Sequence, residues 1–187
     1  MRIIAGTWRS RRIKAPEGRS TRPTLDKVRE AVFSSLGGMF AEGRFLDLYA
    51  GSGANGLEAL SRGMDEAVFV DSSSAACRTI HENIETLGCK ECTGVIRKKV
   101  MSALEDLRDE GKKFSVVYMD PPYAKEENEK VLKALFAYNL IEEGGRVLIE
   151  SAREDTFSPQ VGDLIAYKEA VYGITRITYY RKKEGEV

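Results

Sequence analysis

The sequence predicts an α/β fold: a mostly parallel sheet with helices on both faces, three layers in all. Three observations predict it. Short apolar runs alternate with segments whose apolar residues recur at helical spacing, as parallel strands and their covering helices do. A glycine-rich turn, Gly51-Ser52-Gly53-Ala54-Asn55-Gly56, separates one such run from one such helix. Near the C-terminus, Leu164 to Val171 and Ile174 to Tyr180 follow each other through Tyr172-Gly173 with no helix between, which predicts a closing antiparallel hairpin.

In chain order, Met1 to Pro16 reads as a short hairpin, with Ile3-Ile4 and Arg12-Ile13-Lys14 flanking a turn around Gly6 and Ser10. Pro16, Gly18 and Pro23 punctuate a loop, and Thr24 is the expected N-cap of a helix carrying Leu25, Val28, Val32, Phe33 and Leu36 up to Gly37-Gly38. Phe45 to Leu48 is a buried-looking strand broken only by Asp47, and Leu57 and Leu60 mark the helix after the glycine turn. Ala67 to Asp71 is the next strand, Ser73 or Ser74 caps a helix to about Leu87, and Gly94 to Arg97 is a short strand. Met101 to Arg108 reads as helix, Phe114 to Met119 as strand, Asn128 to Tyr138 as helix and Arg146 to Glu150 as strand. There is no internal repeat or low-complexity linker, so the expected division is a basic hairpin and loop over 1–23 and one sheet-bearing domain over 24–187.

The 187 residues, 42% hydrophobic and 31% charged, describe an ordinary soluble globular protein. No apolar run is long enough to span a bilayer and the N-terminus lacks the apolar core of a secretion signal, so the expected location is the cytoplasm, without a membrane partner. Three cysteines, an odd number, agree with a reducing compartment. Charge balances at 29 basic against 29 acidic residues, but its distribution is uneven. Arg2, Arg9, Arg11, Arg12, Lys14, Arg19 and Arg22 crowd the N-terminal segment, opposed there by Glu17 alone. A solvated hairpin would show the same charges; the functional reading of such an arm is a footprint for phosphate.

The glycine turn is the centre of the expected site. Gly51 and Gly53 let the backbone bend sharply and approach a ligand, and the N–H groups opening the next helix face whatever sits there. Gly51-x-Gly53-x-x-Gly56, with Asp71 about 20 residues on, also satisfies the dinucleotide fingerprint, and the acid suits the ribose of a nicotinamide or an adenosine cofactor equally. Two features favour S-adenosylmethionine (AdoMet). Asp47 could meet an ammonium group but would repel a pyrophosphate, and Asp120-Pro121-Pro122-Tyr123 follows another strand.

Asp-Pro-Pro-Tyr after a strand, downstream of a glycine cradle, resembles the signature of methyltransferases acting on exocyclic amino groups of nucleobases. The wider pattern comprises Arg2 to Arg9, Arg22-Pro23-Thr24, Val28 to Phe33, Leu46-Asp47 through Arg62-Gly63, and Asp120 through Tyr123. Together these resemble the RsmD family of 16S ribosomal RNA guanine-N2 methyltransferases, over essentially the whole chain. The resemblance implies a Rossmann-like class I methyltransferase sheet of seven strands, the last antiparallel, and AdoMet as cofactor. It implies 16S rRNA, or the small ribosomal subunit up to an assembled 30S particle, as partner, with no metal and a monomeric enzyme. It also places Arg22, Thr24 and Arg29 against the cofactor pocket.

On that reading Gly51 and Gly53 line the methionine end of the cofactor, Tyr49, Ala50 and Ser52 of the same loop are cofactor-binding, and Asp47 engages the amino group through water. Asp71 accepts from the ribose hydroxyls, with Ser72 beside it. Many relatives place an acid or amide near the start of the later helix, where this chain has Lys99-Val100-Met101-Ser102, so Met101 main chain and the Ser102 hydroxyl are expected at the adenine. A guanine N2 amine is a poor nucleophile because its lone pair is delocalised. Acceptors on its two N–H bonds, the Asp120 carboxylate and the Pro121 carbonyl, would favour a pyramidal nitrogen. The prolines stiffen the corner and bring no competing N–H, and Tyr123 offers a face for an unstacked base. Arg9, Arg11, Arg12, Lys14 and Arg22 are the expected RNA contacts. An ordinary strand-ending turn would also use Asp and Pro; position after a cradle and Asp71 favours catalysis.

Cys89-x-x-Cys92 has zinc-like spacing, and Cys77 with His81 could complete four ligands, but the proposed chemistry needs no metal. His81 is the only histidine, so a serine-type triad has no base. Trp8 suits either stacking on RNA or pinning the hairpin. The rivals are a DNA adenine-N6 methyltransferase, a protein glutamine methyltransferase, which usually carries Asn where this chain has Asp120, a nicotinamide oxidoreductase and a non-catalytic nucleotide-binding module.

Overall fold

A computed structural model describes residues 1–15, 23–122 and 125–185, with nothing stated of the side chains of Pro23 and Thr24. Arg19, Arg22 and Tyr123 therefore lie outside the described residues, as does the Thr24 side chain. The chain forms two compact units, Met1–Lys98 and Lys99–Val187.

The first unit begins with the expected hairpin, which is a loop held by one antiparallel bridge, Arg2 to Arg12, and not a pair of full strands. Ile3 N–H donates to Arg11 O and Ser10 N–H to Ile3 O, while Ile3 and Ile13 are buried beneath it. Helix α1 (Pro23–Ser35) starts one residue ahead of the expected Thr24 cap, because proline's fixed φ and missing N–H suit a first helical position. It ends at Gly37 and Gly38, both with positive φ. Strands β1 (Arg44–Leu48), β2 (Glu66–Val70) and β3 (Thr93–Ile96) pair in parallel in the order β3-β2-β1. Helix α2 (Ala54–Ser61) links β1 to β2, and α3 (Ser74–Leu87), capped by Ser73 Oγ accepting from Ala76 N–H, links β2 to β3. Phe33 stacks on Phe45, with ring centroids 6.0 Å apart, at the centre of this core.

An acid sits where an amphipathic reading of α2 expects none. Glu58 has no exposed surface. Its Oε2 accepts from Ile4 N–H at 2.9 Å and its Oε1 from Ala5 N–H at 3.0 Å and Arg62 Nε at 2.8 Å. Arg29 Nε of α1 lies 3.6 Å from Oε2, and Arg29 also donates to Arg2 O and to Asp26. One carboxylate thus joins the hairpin, α1 and the end of α2. Beside it Gly6 fits so closely under the hairpin that a Cβ would stand 1.7 Å from Ser61 O.

In the second unit, α4 (Val100–Asp109) precedes β4 (Phe114–Met119), which pairs in parallel with β5 (Ile141–Ala152) around α5 (Lys125–Ala137). Strand β5 is longer than the expected Arg146 to Glu150. Register jumps from Phe114–Ile141 to Val116–Arg146, so Gly144-Gly145, which looks like a turn, is a bulge inside a strand. The closing hairpin is present: β7 (Leu164–Tyr172) and β8 (Thr175–Lys182) are antiparallel, and β8 pairs antiparallel with β5. The two-residue β6 (Gln160–Val161) adds a further antiparallel edge, giving the order β4-β5-β8-β7-β6 in this unit. It brings the described strands to eight where seven were expected, being too short to show a period in sequence.

Breaking the Glu58 cluster should cost much of the protein's stability. Glu58→Ala leaves two arginines and two backbone N–H groups without their acceptor, and urea unfolding should show a loss of about 3–5 kcal/mol. Glu58→Gln, which keeps one oxygen acceptor, should lose less.

The second expected outcome concerns alkaline pH. Burial, reinforced by neighbouring Cys92, pushes the Cys89 thiol from 9.0 up to about 11, and burial, then Glu129 and Glu169, pushes the Tyr180 hydroxyl from 10.0 up to about 12. Both groups hold their protons more tightly folded than unfolded. Their contribution is whole below pH 9, and it falls away as pH rises from about 9 to 11 for Cys89 and from about 10 to 12 for Tyr180. Thermal midpoints measured from pH 8 to 12 should drop through that window, and the drop should be shallower in Cys89→Ala with Tyr180→Phe.

Candidate active site

The cradle is built at the end of β1. Three residues within five take left-handed backbone: Tyr49 (φ 58), Gly51 (φ 59) and Gly53 (φ 77). For the glycines this conformation is cheap; for Tyr49 it carries strain of about 1–3 kcal/mol, the kind of local cost that persists at ligand clamps. Gly53 N–H donates back to Ala50 O at 2.8 Å, closing the bend, and Gly53 O accepts from Leu57 N–H to open α2. Gly56 is there for packing: a Cβ would meet the Phe69 ring at 2.4 Å, so α2 could not lie this close to β2.

Two carboxylates hold the loop. Asp47 is buried in β1 with its Oδ2 accepting from Gly56 N–H at 3.0 Å, which satisfies a helix-opening donor. This bond gives Asp47 a task in holding the loop that was not foreseen. Asp71, just past β2, accepts from Gly51 N–H through Oδ2 and from Ser73 N–H through Oδ1, each at 2.9 Å. It thereby links the two loops and remains half-exposed. Ser72 beside it is exposed.

Asn83 of α3 went unrecognised in the sequence. Wholly buried, it donates through Nδ2 to Ser52 O at 2.9 Å and to Lys14 O at 3.0 Å, and its Oδ1 accepts from Lys14 N–H at 2.7 Å. One amide therefore couples the cradle loop to the basic arm. The available signal was a polar residue on the apolar stripe of Ala76, Ile80 and Leu87.

The arm itself divides. Arg11 donates to Thr86 O and Lys14 pairs with Glu82 at 2.7 Å, so both are tethers to α3. Arg2, Arg9 and Arg12 are exposed, carry no salt bridge among the described residues, and line a cleft with Asp26, Lys27 and Glu30 of α1. Trp8 N–H donates to Ser61 Oγ, which pins the hairpin by its backbone while the indole is half-buried. Arg29, expected at the cofactor, is 5% exposed and engaged by Arg2 O, Asp26 and Glu58; that placement makes it part of the cluster holding the hairpin.

In the second unit, Asp120, Pro121 and Pro122 follow β4 directly, and they wall a cavity of about 400 Å³ with Glu150, Ser151, Ala152, Asp155, Ile174 and Thr175. The strand and its closing hairpin place this corner: β4 carries Asp120 to the sheet end, and the β5–β8 pairing brings Thr175 opposite Ala152. The buried Tyr118 hydroxyl donates to Glu150 Oε2 at 2.6 Å. Neither Tyr118 nor Glu150 was singled out from the sequence, where both merge into apolar strands. Met101 and Ser102 lie in the first turn of α4, half-buried and exposed respectively, and no side chain caps that turn.

The cysteines are all free thiols. Cys89 Sγ donates to Ile84 O and Cys92 Sγ to Cys89 O, and burial raises the thiol pKa of all three cysteines, which favours the protonated form. Among the described residues no group of three or more His, Cys, Asp or Glu side chains could hold a metal ion, and no helix is long and apolar enough to cross a membrane.

The chain matches the protein family described as Conserved hypothetical protein 95 over residues 1–181. YlbH of Bacillus subtilis (strain 168) is 38% identical over 183 residues, covering 98% of this chain and 100% of that one. Ribosomal RNA small subunit methyltransferase D of Escherichia coli (strain K12) is 30% identical over 187 residues, 100% of this chain and 92% of that one. Among solved structures, yhhF from Escherichia coli superposes with a TM-score of 0.83 at 29% identity, covering 99% of both chains. The α/β arrangement is thus the Rossmann-like class I methyltransferase fold.

Proposed function

Because this chain belongs to the RsmD family of methyltransferases, we propose that it transfers a methyl group from AdoMet to the N2 amine of one guanine in 16S ribosomal RNA. The observation that carries the reading is the Asp120-Pro121-Pro122 corner, set directly after β4 and opening onto a cavity, in a chain that matches the family along its length.

The donor is AdoMet, and the cradle residues fit it. Left-handed Gly51 and Gly53 present main-chain groups without side chains in the way, and Asp71 keeps lone pairs for ribose hydroxyls beyond its two backbone bonds. Asp47 supplies negative charge beneath the amino group of the methionine moiety. Tyr49, Ala50 and Ser52 complete the loop. Ser72, Met101 and Ser102 are assigned to the adenosine end, and Thr24 to the cofactor side of α1. Arg29 acts at one remove, by fixing α1 and the hairpin.

At the corner, Asp120 and the Pro121 carbonyl accept from the two N–H bonds of the target amine, which favours a pyramidal nitrogen with an available lone pair. AdoMet, once bound, would supply the methyl group, its carbon–sulfur bond breaking as the bond from N2 forms, and Asp120 or solvent would take the proton that the amine releases. Catalysis is positioning and electrostatics. Tyr123 stacks on the extruded base. Arg9 and Arg12 meet the phosphate backbone directly. Arg11 and Lys14 reach it only by leaving Thr86 and Glu82, and Arg22 is assigned to the same surface. The enzyme acts as a cytoplasmic monomer, without a metal.

The test is a labelled-methyl assay on 30S particles and on free 16S RNA from cells lacking the enzyme, with the modified nucleoside identified by mass spectrometry. Label in N2-methylguanosine supports the proposal; label only in duplex DNA or in protein favours a rival. Asp120→Ala should fold and bind AdoMet in calorimetry while turnover falls by about 100-fold or more. Undiminished methylation would remove Asp120 from the mechanism.

A further inference from the structure

A guanine offers more than its amine. Its Watson–Crick edge carries N1–H beside one hydrogen of the N2 amine, so two hydrogens point the same way, whereas adenine presents a lone pair at N1. A pocket that selects guanine must therefore supply acceptors at two adjacent positions. Asp120 and Pro121 O account for the amine alone.

We infer that Glu150 is the specificity-determining residue, accepting the N1–H of the target guanine while Asp120 holds its amine. Three independent observations carry this, and the inference rests on the reading of the protein as a guanine-N2 methyltransferase. First, register: β4 and β5 pair Tyr118 with Leu148 and Met119 with Ile149, and Asp120 and Glu150 are the residues that follow this last pair on their two chains. Second, both line one cavity, whose described lining includes no Lys, Arg or His; Ser151, Asp155 and Thr175 add polar groups to it, and Pro121, Pro122, Ala152 and Ile174 suit the flat apolar faces of a base. Third, the Glu150 carboxylate is oriented. The buried Tyr118 hydroxyl donates to Oε2 at 2.6 Å, which orients the carboxylate, a group whose two oxygens together offer about four acceptor sites. A carboxylate so held accepts N1–H and repels the N1 lone pair of adenine. Tyr118 acts through Glu150 and is a positioning residue.

The test uses small-subunit RNA assembled by ligation, carrying guanine or 2-aminopurine at the nucleotide that mass spectrometry identifies as methylated. 2-Aminopurine keeps the 2-amine but has a bare N1. The intact protein should methylate the guanine substrate faster by about 10- to 100-fold in kcat/KM. Glu150→Gln places an amide that can donate to N1, so the guanine preference should shrink by about tenfold or reverse, with AdoMet affinity unchanged in calorimetry. Tyr118→Phe should narrow the preference less.

Equal rates of the unaltered enzyme on the two substrates would overturn the inference, and so would an unchanged ratio in Glu150→Gln. Should the variant fail to fold, the ratio measured with the unaltered enzyme still decides. Failure of the underlying reading looks different: no methyl transfer to guanine-containing RNA by the unaltered enzyme at all.

Discussion

The first unit depends on a buried carboxylate. A charged group without solvent is tolerated only when its acceptor capacity is used, and Glu58 uses it on two backbone N–H groups of the hairpin and on two arginines from different helices. Arg62 carries the connection on, donating to Gly38 O at 2.7 Å and lying over the Phe33 ring. The arm that precedes the fold in sequence is thereby welded to the helix that follows the glycine turn. Asn83 repeats the arrangement from α3, and together they set the arm and the cradle against one another as parts of one rigid unit. An arm docked this way has already lost the entropy that a free arm would lose on binding a ligand.

That docking also sorts the basic residues. Cations on one stretch of chain look equivalent in sequence, yet Arg11 and Lys14 are committed to α3 while Arg2, Arg9 and Arg12 face the cleft beside α1. The hairpin is a spacer with a structural side and an electrostatic side. Its one close approach, at Gly6, explains why a side chain is excluded there.

The second unit solves a different problem, that of ending a parallel strand in a usable pocket. Strand β4 stops at Met119, and the prolines after Asp120 cannot continue a ladder because they have no N–H to contribute. Strand β5 runs past it to Ala152, and β8 returns antiparallel alongside, so the longer neighbours rise around the stopped one and make the wall of a cavity. Glu150 lies two residues beyond Leu148, the register partner of Tyr118, and there the Tyr118 hydroxyl and the Glu150 carboxylate meet on a diagonal.

The sequence by itself determined what depends on local chemistry. Strand and helix periods located most elements within a residue or two, glycine marked the left-handed turn, and Asp-Pro-Pro marked the corner, because each of these is written in adjacent residues. The β5 bulge and the two-residue β6 were not legible in this way: Gly144-Gly145 carries a turn's composition, and β6 has no period to read. Only the tertiary structure decided the partners of Glu58, Asn83 and Glu150. Their partners lie 53, 54, 69 and 32 residues away, as in Ala5–Glu58, Ile4–Glu58, Lys14–Asn83 and Tyr118–Glu150, and a buried polar side chain is defined by the partner that satisfies it. Until the chain folds, such a residue looks like any other surface acid or amide.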